Sequence, residues 1–176
     1  MTFAEEYARA RGDVLAELER TLASVDPAQL ERLRDDILRA DQVFFVGVGR
    51  VMLSLQSVCK RMAHLGIRAH YVGEITEPAI KKDDLLIVGS GSGGSLFPLG
   101  IAKKARAAAD CTIVHIGSNP NSEMKDIANY MVRLPVRTKL ALFLTLWPHP
   151  ASFALARGLY RLRSLVRRRQ SERVFE

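Results

Sequence analysis

Between residues 43 and 134, short apolar runs bounded by turn residues alternate with stretches of helical periodicity. That alternation narrows the fold more than any other property of the chain. The runs at 43–47, 69–72, 85–89, 111–116 and 130–134 read as strands, and those at 52–65, 96–109 and 123–128 as helices. Gly66 and the Gly117-Ser118-Asn119-Pro120 segment supply stops between them. Strands apolar on both faces need cover on both sides, and strands joined through helices run parallel with right-handed crossovers. The expectation is an α/β fold with a doubly wound, five-stranded parallel sheet in the order 2-1-3-4-5. Two helices should precede it, the first with Phe3, Tyr7, Val14, Leu15, Leu18 and Leu22 at mostly helical spacing. The second is capped by Asp26, with Pro27 in its first turn, ahead of Leu30, Leu33, Ile37 and Leu38.

In that strand order the chain reverses direction between the first and third strands, and ligands bind beyond the carboxyl ends flanking such a switch point. Both glycine-rich turns of the sequence fall there. One is Gly47-Val48-Gly49-Arg50; the other is Ser90-Gly91-Ser92-Gly93-Gly94-Ser95. Glycines let backbone approach an anion, three hydroxyls share the second turn, and the helix that follows offers unpaired N–H groups at its positive end. The ligand implied is a phosphate. A dinucleotide fingerprint is not supported, because Met52 stands where the third glycine of GxGxxG is needed, and no GxxxxGK[ST] occurs.

The chain is 176 residues long, enough for one well-cored domain, with helices over 1–40, the α/β core over 41–135 and a divergent basic segment over 136–176. Its net charge of +7 is uneven: residues 1–136 hold 17 Lys and Arg against 17 Asp and Glu, and residues 137–176 hold nine against two. The basic balance therefore does not argue for nucleic-acid binding by the core. Cys59 and Cys111 sit in apolar segments without metal spacing and read as reduced core thiols. No His, Cys or acidic set has ligand spacing, so no metal is expected. A charged start and the absence of a long apolar run predict a soluble, cytoplasmic protein with no membrane partner.

Five segments carry a resemblance: 46–50 (VGVGR), 61–66 (RMAHLG), 72–78 (VGEITEP), 90–95 (SGSGGS) and 118–122 (SNPNS). On these the chain resembles the sugar isomerase (SIS) domain family, and within it the 6-phospho-3-hexuloisomerases, over about residues 1–135. The Ser-Gly loop marks the family generally, whereas the His-Leu-Gly and Val-Gly-Glu segments point to the narrower group. The resemblance implies isomerisation of 3-hexulose 6-phosphate to fructose 6-phosphate through an enediolate, without a cofactor, in a homodimer or homotetramer whose neighbours complete each site. It places Ser90, Gly91, Ser92, Gly93, Gly94 and Ser95 on the phosphate, and Gly47, Gly49 and Arg50 on the opposite wall. Two departures stand out: Val51 replaces the serine that usually follows the arginine, and Gly94 replaces a polar residue.

An enediolate path needs a base that lifts a carbon-bound proton and returns it to the neighbouring carbon. The resemblance implies a glutamate after the fifth strand, in a Pro-x-Gly-Ser/Thr motif that this sequence lacks; no acidic residue occurs between Asp126 and Glu172. Glu74, in a loop after the second strand, and His64, reaching the site from a neighbouring subunit, are the substitute candidates. Each also has a plain structural reading, as a paired loop carboxylate and an interface histidine. His70 and His115 fall in strand patterns and read as satisfying local hydrogen bonds, and His149 between two prolines has no identifiable partner. Leu155, Leu159, Leu162 and Val166 recur at helical spacing among arginines. The tail is open to three readings: a divergent helix pair, a basic docking helix, or coding sequence read in a shifted frame. Turnover and non-catalytic binding of a sugar phosphate both remain open on these residues.

Overall fold

The computed structural model describes residues 2–136; the tail readings, including His149 and the 155–166 leucine pattern, lie outside them. Helix α1 (Phe3–Ala23) opens on a capping box, with the Thr2 hydroxyl accepting from the Glu5 N–H and the Glu5 carboxylate accepting from the Thr2 N–H. Helix α2 (Pro27–Arg39) has Asp26 as cap and Pro27 in its first turn, as the sequence predicts. There follow β1 (Val43–Val46), α3 (Gly49–His64), β2 (Ala69–Tyr71), β3 (Leu85–Gly89), α4 (Leu96–Ala109), β4 (Thr112–Gly117), a 3-10 turn (Glu123–Asp126) and β5 (Tyr130–Arg133).

The five strands are parallel and ordered β2-β1-β3-β4-β5, which is the doubly wound order expected from the alternation. The sheet is covered on both faces. Phe45, Ile87, Val114 and Val132 pack under α2 and α3 with Leu33, Ile37, Val58 and Met62. On the opposite face Phe44, Val46, Leu86, Val88 and Ile113 pack under α4 with Leu99, Ala102 and Ala105. Two-sided burial explains why the strand sequences do not alternate with polar residues.

Boundaries differ from expectation at α3, which begins at Gly49 rather than near Met52. Gly49 takes a φ of +56°, a left-handed conformation open to glycine, so the chain turns directly from strand to helix without a longer loop. The 3-10 turn is shorter than the 123–128 helix expected there. Cys59 and Cys111 are buried free thiols, and burial pushes Cys59 up to about 11. Helix α1 contributes only Thr21 to the buried set, and Phe3, Tyr7, Val14, Leu15 and Leu22 are exposed in the single chain.

Candidate functional site

Strands β1 and β3 are neighbours in register, with Val46 opposite Val88, so the two glycine turns begin side by side at the carboxyl edge. Helix α3 presses onto both. A Cβ at Gly89 would lie 2.7 Å from Val51 Cγ1 and 2.8 Å from Leu55 Cδ1, and one at Gly47 would lie 3.3 Å from the Gly89 carbonyl oxygen. Gly47 and Gly89 are thus packing glycines that bring the two turns together at the switch point. Val51, found where the resemblance leads one to expect serine, packs on this floor, and Arg50 stands exposed on the first turn of α3.

The turn after β3 is held from one side. The His115 ring nitrogen Nε2 lies 2.7 Å from the Ser90 carbonyl oxygen. The Gly91 carbonyl accepts from the Ser118 N–H at 3.0 Å, the Ser118 hydroxyl at 2.8 Å and the Asn119 N–H at 3.2 Å. The Ser92 carbonyl accepts from Asn119 Nδ2 at 3.3 Å. Three successive carbonyls are therefore bonded to β4 and the turn beyond it. In a trans peptide the N–H points opposite to the C=O, so the Gly91 and Ser92 N–H groups face away from that turn. Neither has a partner among the described residues, which is the form of an anion-binding nest at the start of a helix.

Side chains complete the turn in different ways. The Ser90 hydroxyl is buried and accepts from the Gly93 N–H at 3.1 Å, so it struts the loop from within. The Ser92 hydroxyl lies at the surface, 3.4 Å from the Gly94 N–H, and Ser95 caps α4 without a side-chain cap bond. Gly93 takes a φ of +69°, and a Cβ there would collide with the Ser122 side chain. No acidic residue sits in the first turn of α4 to neutralise its N-terminus.

Glu74 lies elsewhere. It follows β2, which is separated from β3 by β1, roughly 10 Å across the sheet at the usual strand spacing. Its carboxylate is 2.5 Å from His70 Nδ1, and both side chains are mostly buried. The His70 ring lies 5.4 Å from the Phe44 ring. His64 is exposed at the last turn of α3, about 22 Å along the helix from Gly49, at the opposite edge of the sheet. Within one chain the structure brings neither candidate base to the loop. The cleft between the Ser90–Gly91 segment, Gly117–Ser118 and α3 is also lined by Leu134 and Val136, and no described residue lining it is ionisable. Among the described residues no cluster of three metal-ligating side chains occurs, and no helix is long and apolar enough to cross a membrane.

The two turns are legible in the sequence, whereas the contacts that hold the second one are not. His115 and Asn119 carry that load together with Ser118. The available signal was a histidine in an otherwise apolar strand, followed two residues later by a glycine.

Comparison with known proteins bears on the family and the fold. No family model matches the chain. A 3-hexulose-6-phosphate isomerase of Bacillus subtilis is 34% identical over 123 residues, covering 70% of this chain and 66% of that one. A protein of the same name from Mycobacterium gastri is 37% identical over 125 residues, covering 70% and 61%. The chain thus spans at most about two thirds of the length of these curated relatives. A Methanococcus jannaschii structure, from which a 3-hexulose-6-phosphate isomerase function was inferred, superposes with a TM-score of 0.68 at 27% identity, over 95% of this chain and 92% of that one.

Proposed function

The chain belongs to the sugar isomerase (SIS) domain family, and we propose that it binds a phosphosugar through the 90–95 turn and acts as a 6-phospho-3-hexuloisomerase. The observation that carries the binding half is the restraint of the Ser90, Gly91 and Ser92 carbonyls, which leaves the Gly91 and Ser92 N–H groups for an anion. The relatives' name supplies the reaction class.

In that reaction a base removes the proton on C2 of 3-hexulose 6-phosphate, giving a 2,3-enediolate. Return of that proton to C3, with transfer of the O2 proton to O3, leaves the carbonyl at C2 and a hydroxyl at C3, which is fructose 6-phosphate. The nest and the α4 N-terminus hold the phosphate, and Gly47, Gly49 and Arg50 form the facing wall. The phosphate fixes the sugar so that proton transfer occurs at one place on a held substrate. The base comes from outside the described cleft of one chain, and exposed His64 of a second copy in a homo-oligomer is the candidate.

A second reading has its own observation: no described residue lining the cleft is ionisable, and Glu74 is bonded to His70. On that reading the protein binds a sugar phosphate without turning it over, as a sensor. Thermal shift with fructose 6-phosphate, run beside an assay for its formation from 3-hexulose 6-phosphate, separates the two. Stabilisation with turnover supports the isomerase; stabilisation without turnover supports the sensor; neither effect defeats both.

A further inference from the structure

We propose that His115 is a positioning residue for the phosphate turn, whose Nε2–H holds the Ser90 carbonyl away from the anion. The inference rests on the reading of that turn as a phosphate cradle. It concerns a residue that lies behind the turn and touches no ligand.

A carbonyl oxygen can only accept, so the 2.7 Å contact to Ser90 requires the proton on Nε2. His115 occupies a position of β4 that, with Ile113, faces α4, and it is 2% exposed. Burial moves its pKa below 6.5, against the opposing effect of the Ser90 carbonyl, so the ring is held neutral.

The ring's place is also cut to shape. A Cβ at Gly117 would collide with the Ser90 carbonyl oxygen and with His115 Nε2, and one at Gly93 would come within 3.0 Å of His115 Cε1. Two glycines therefore leave room for one imidazole between β4 and the turn. An aliphatic side chain would fill a strand position under α4 as well as the neighbouring isoleucine and valine do, so packing alone does not explain a histidine there.

The effect on the ligand follows from the peptide plane. If the Ser90–Gly91 peptide rotated, the Gly91 N–H would turn inward and the Ser90 carbonyl would face the anion, exchanging a donor for a repelling dipole. With its Nε2–H bond made, that rotation would leave both His115 and the carbonyl unpaired. Ser118 and Asn119 hold the next two carbonyls, and neither reaches Ser90.

The test compares the full-length wild-type chain with His115→Leu, His115→Gln and the double variant Ser90→Ala/Ser92→Ala, measuring the Kd for fructose 6-phosphate by calorimetry. Glutamine keeps a donor at the Nε2 reach, whereas leucine keeps the bulk and loses the donor. His115→Leu should bind about tenfold or more weakly and His115→Gln within about threefold of wild type. Equal binding by both, or equal loss in both, overturns the positioning role. In either case, weakened binding by the serine double variant leaves the cradle standing; wild-type binding by that double variant instead defeats the cradle itself. Should His115→Leu fail to fold, 15N spectra of the wild-type imidazole decide. A neutral Nε2–H tautomer that persists below pH 6.5 supports the proposal, and an Nδ1–H tautomer or ordinary titration overturns it.

Discussion

Two corners of the same sheet edge treat their polar groups in opposite ways. After β3, side chains from β4 and its turn bond the loop's carbonyls, and the backbone N–H groups are what remains to meet a ligand. After β2, Glu74 and His70 bond one another, and Glu77 accepts from the Gly73 N–H. The first corner spends side chains to present backbone; the second closes its side chains on itself. Anion binding can thus be assembled within one chain from a turn and a helix end. Proton transfer needs a side chain of suitable basicity, and the second corner does not deliver one to the first.

The largest expected break in this contrast is Gly93→Ala. The substitution forces a side chain into a left-handed conformation and against Ser122, and should cost about 2–4 kcal/mol while abolishing the thermal shift by fructose 6-phosphate. Gly100→Ala in α4, where a Cβ meets nothing within 4 Å, should instead stabilise by about 0.4–1 kcal/mol. Urea unfolding midpoints of the two variants read the difference. Equal and small effects would mean that the turn is not held as tightly as its contacts with β4 imply.

Next in size is Ser90→Ala with Ser92→Ala, which removes the inner strut and one surface hydroxyl. Sugar-phosphate binding should fall about tenfold or more, since the turn loses the Ser90 strut that sets its shape and a bond from the surface Ser92 hydroxyl to a charged phosphate is worth roughly 1.5–3 kcal/mol. Calorimetric titration with fructose 6-phosphate gives the number. Unchanged affinity would place the phosphate elsewhere and erase the difference between the two corners.

At the second corner, Glu74→Gln should leave the Kd for fructose 6-phosphate unchanged and lower stability by about 1 kcal/mol through the weakened bond to His70. A fall in turnover of a hundredfold or more, with folding intact, would instead make Glu74 the base and require the β2 corner to open during the reaction.

How much of this was legible follows from which interactions are local. The alternation of apolar runs and helical stretches encodes the parallel sheet because two-sided burial leaves its mark on each strand, as in Leu85-Leu86-Ile87-Val88. The turns were legible because glycine and serine are needed where backbone meets an anion. The clamp was not, because His115, Ser118 and Asn119 act on residues 25 to 28 positions earlier in the chain, and only the β3–β4 register brings them there. Glu74 shows the converse. Its sequence position predicted the right edge of the sheet, and its partner four residues earlier, His70, decided what it does there.

The smallest effect separates the corners by pH. His115 is buried neutral with its pKa below 6.5, so the unfolded chain takes up a proton that the folded chain refuses. Stability from this residue is complete above pH 6.5 and falls as pH drops below it toward the folded value, by at most about 1.4 kcal/mol per pH unit. In His115→Gln that part of the acid sensitivity should vanish, while whatever the carboxylates contribute stays. Urea unfolding of the two proteins at pH 7 and pH 5 isolates the difference. Parallel pH profiles would mean that the imidazole titrates alike in both states, and the turn after β3 would then lack the closed floor that distinguishes it from the corner after β2.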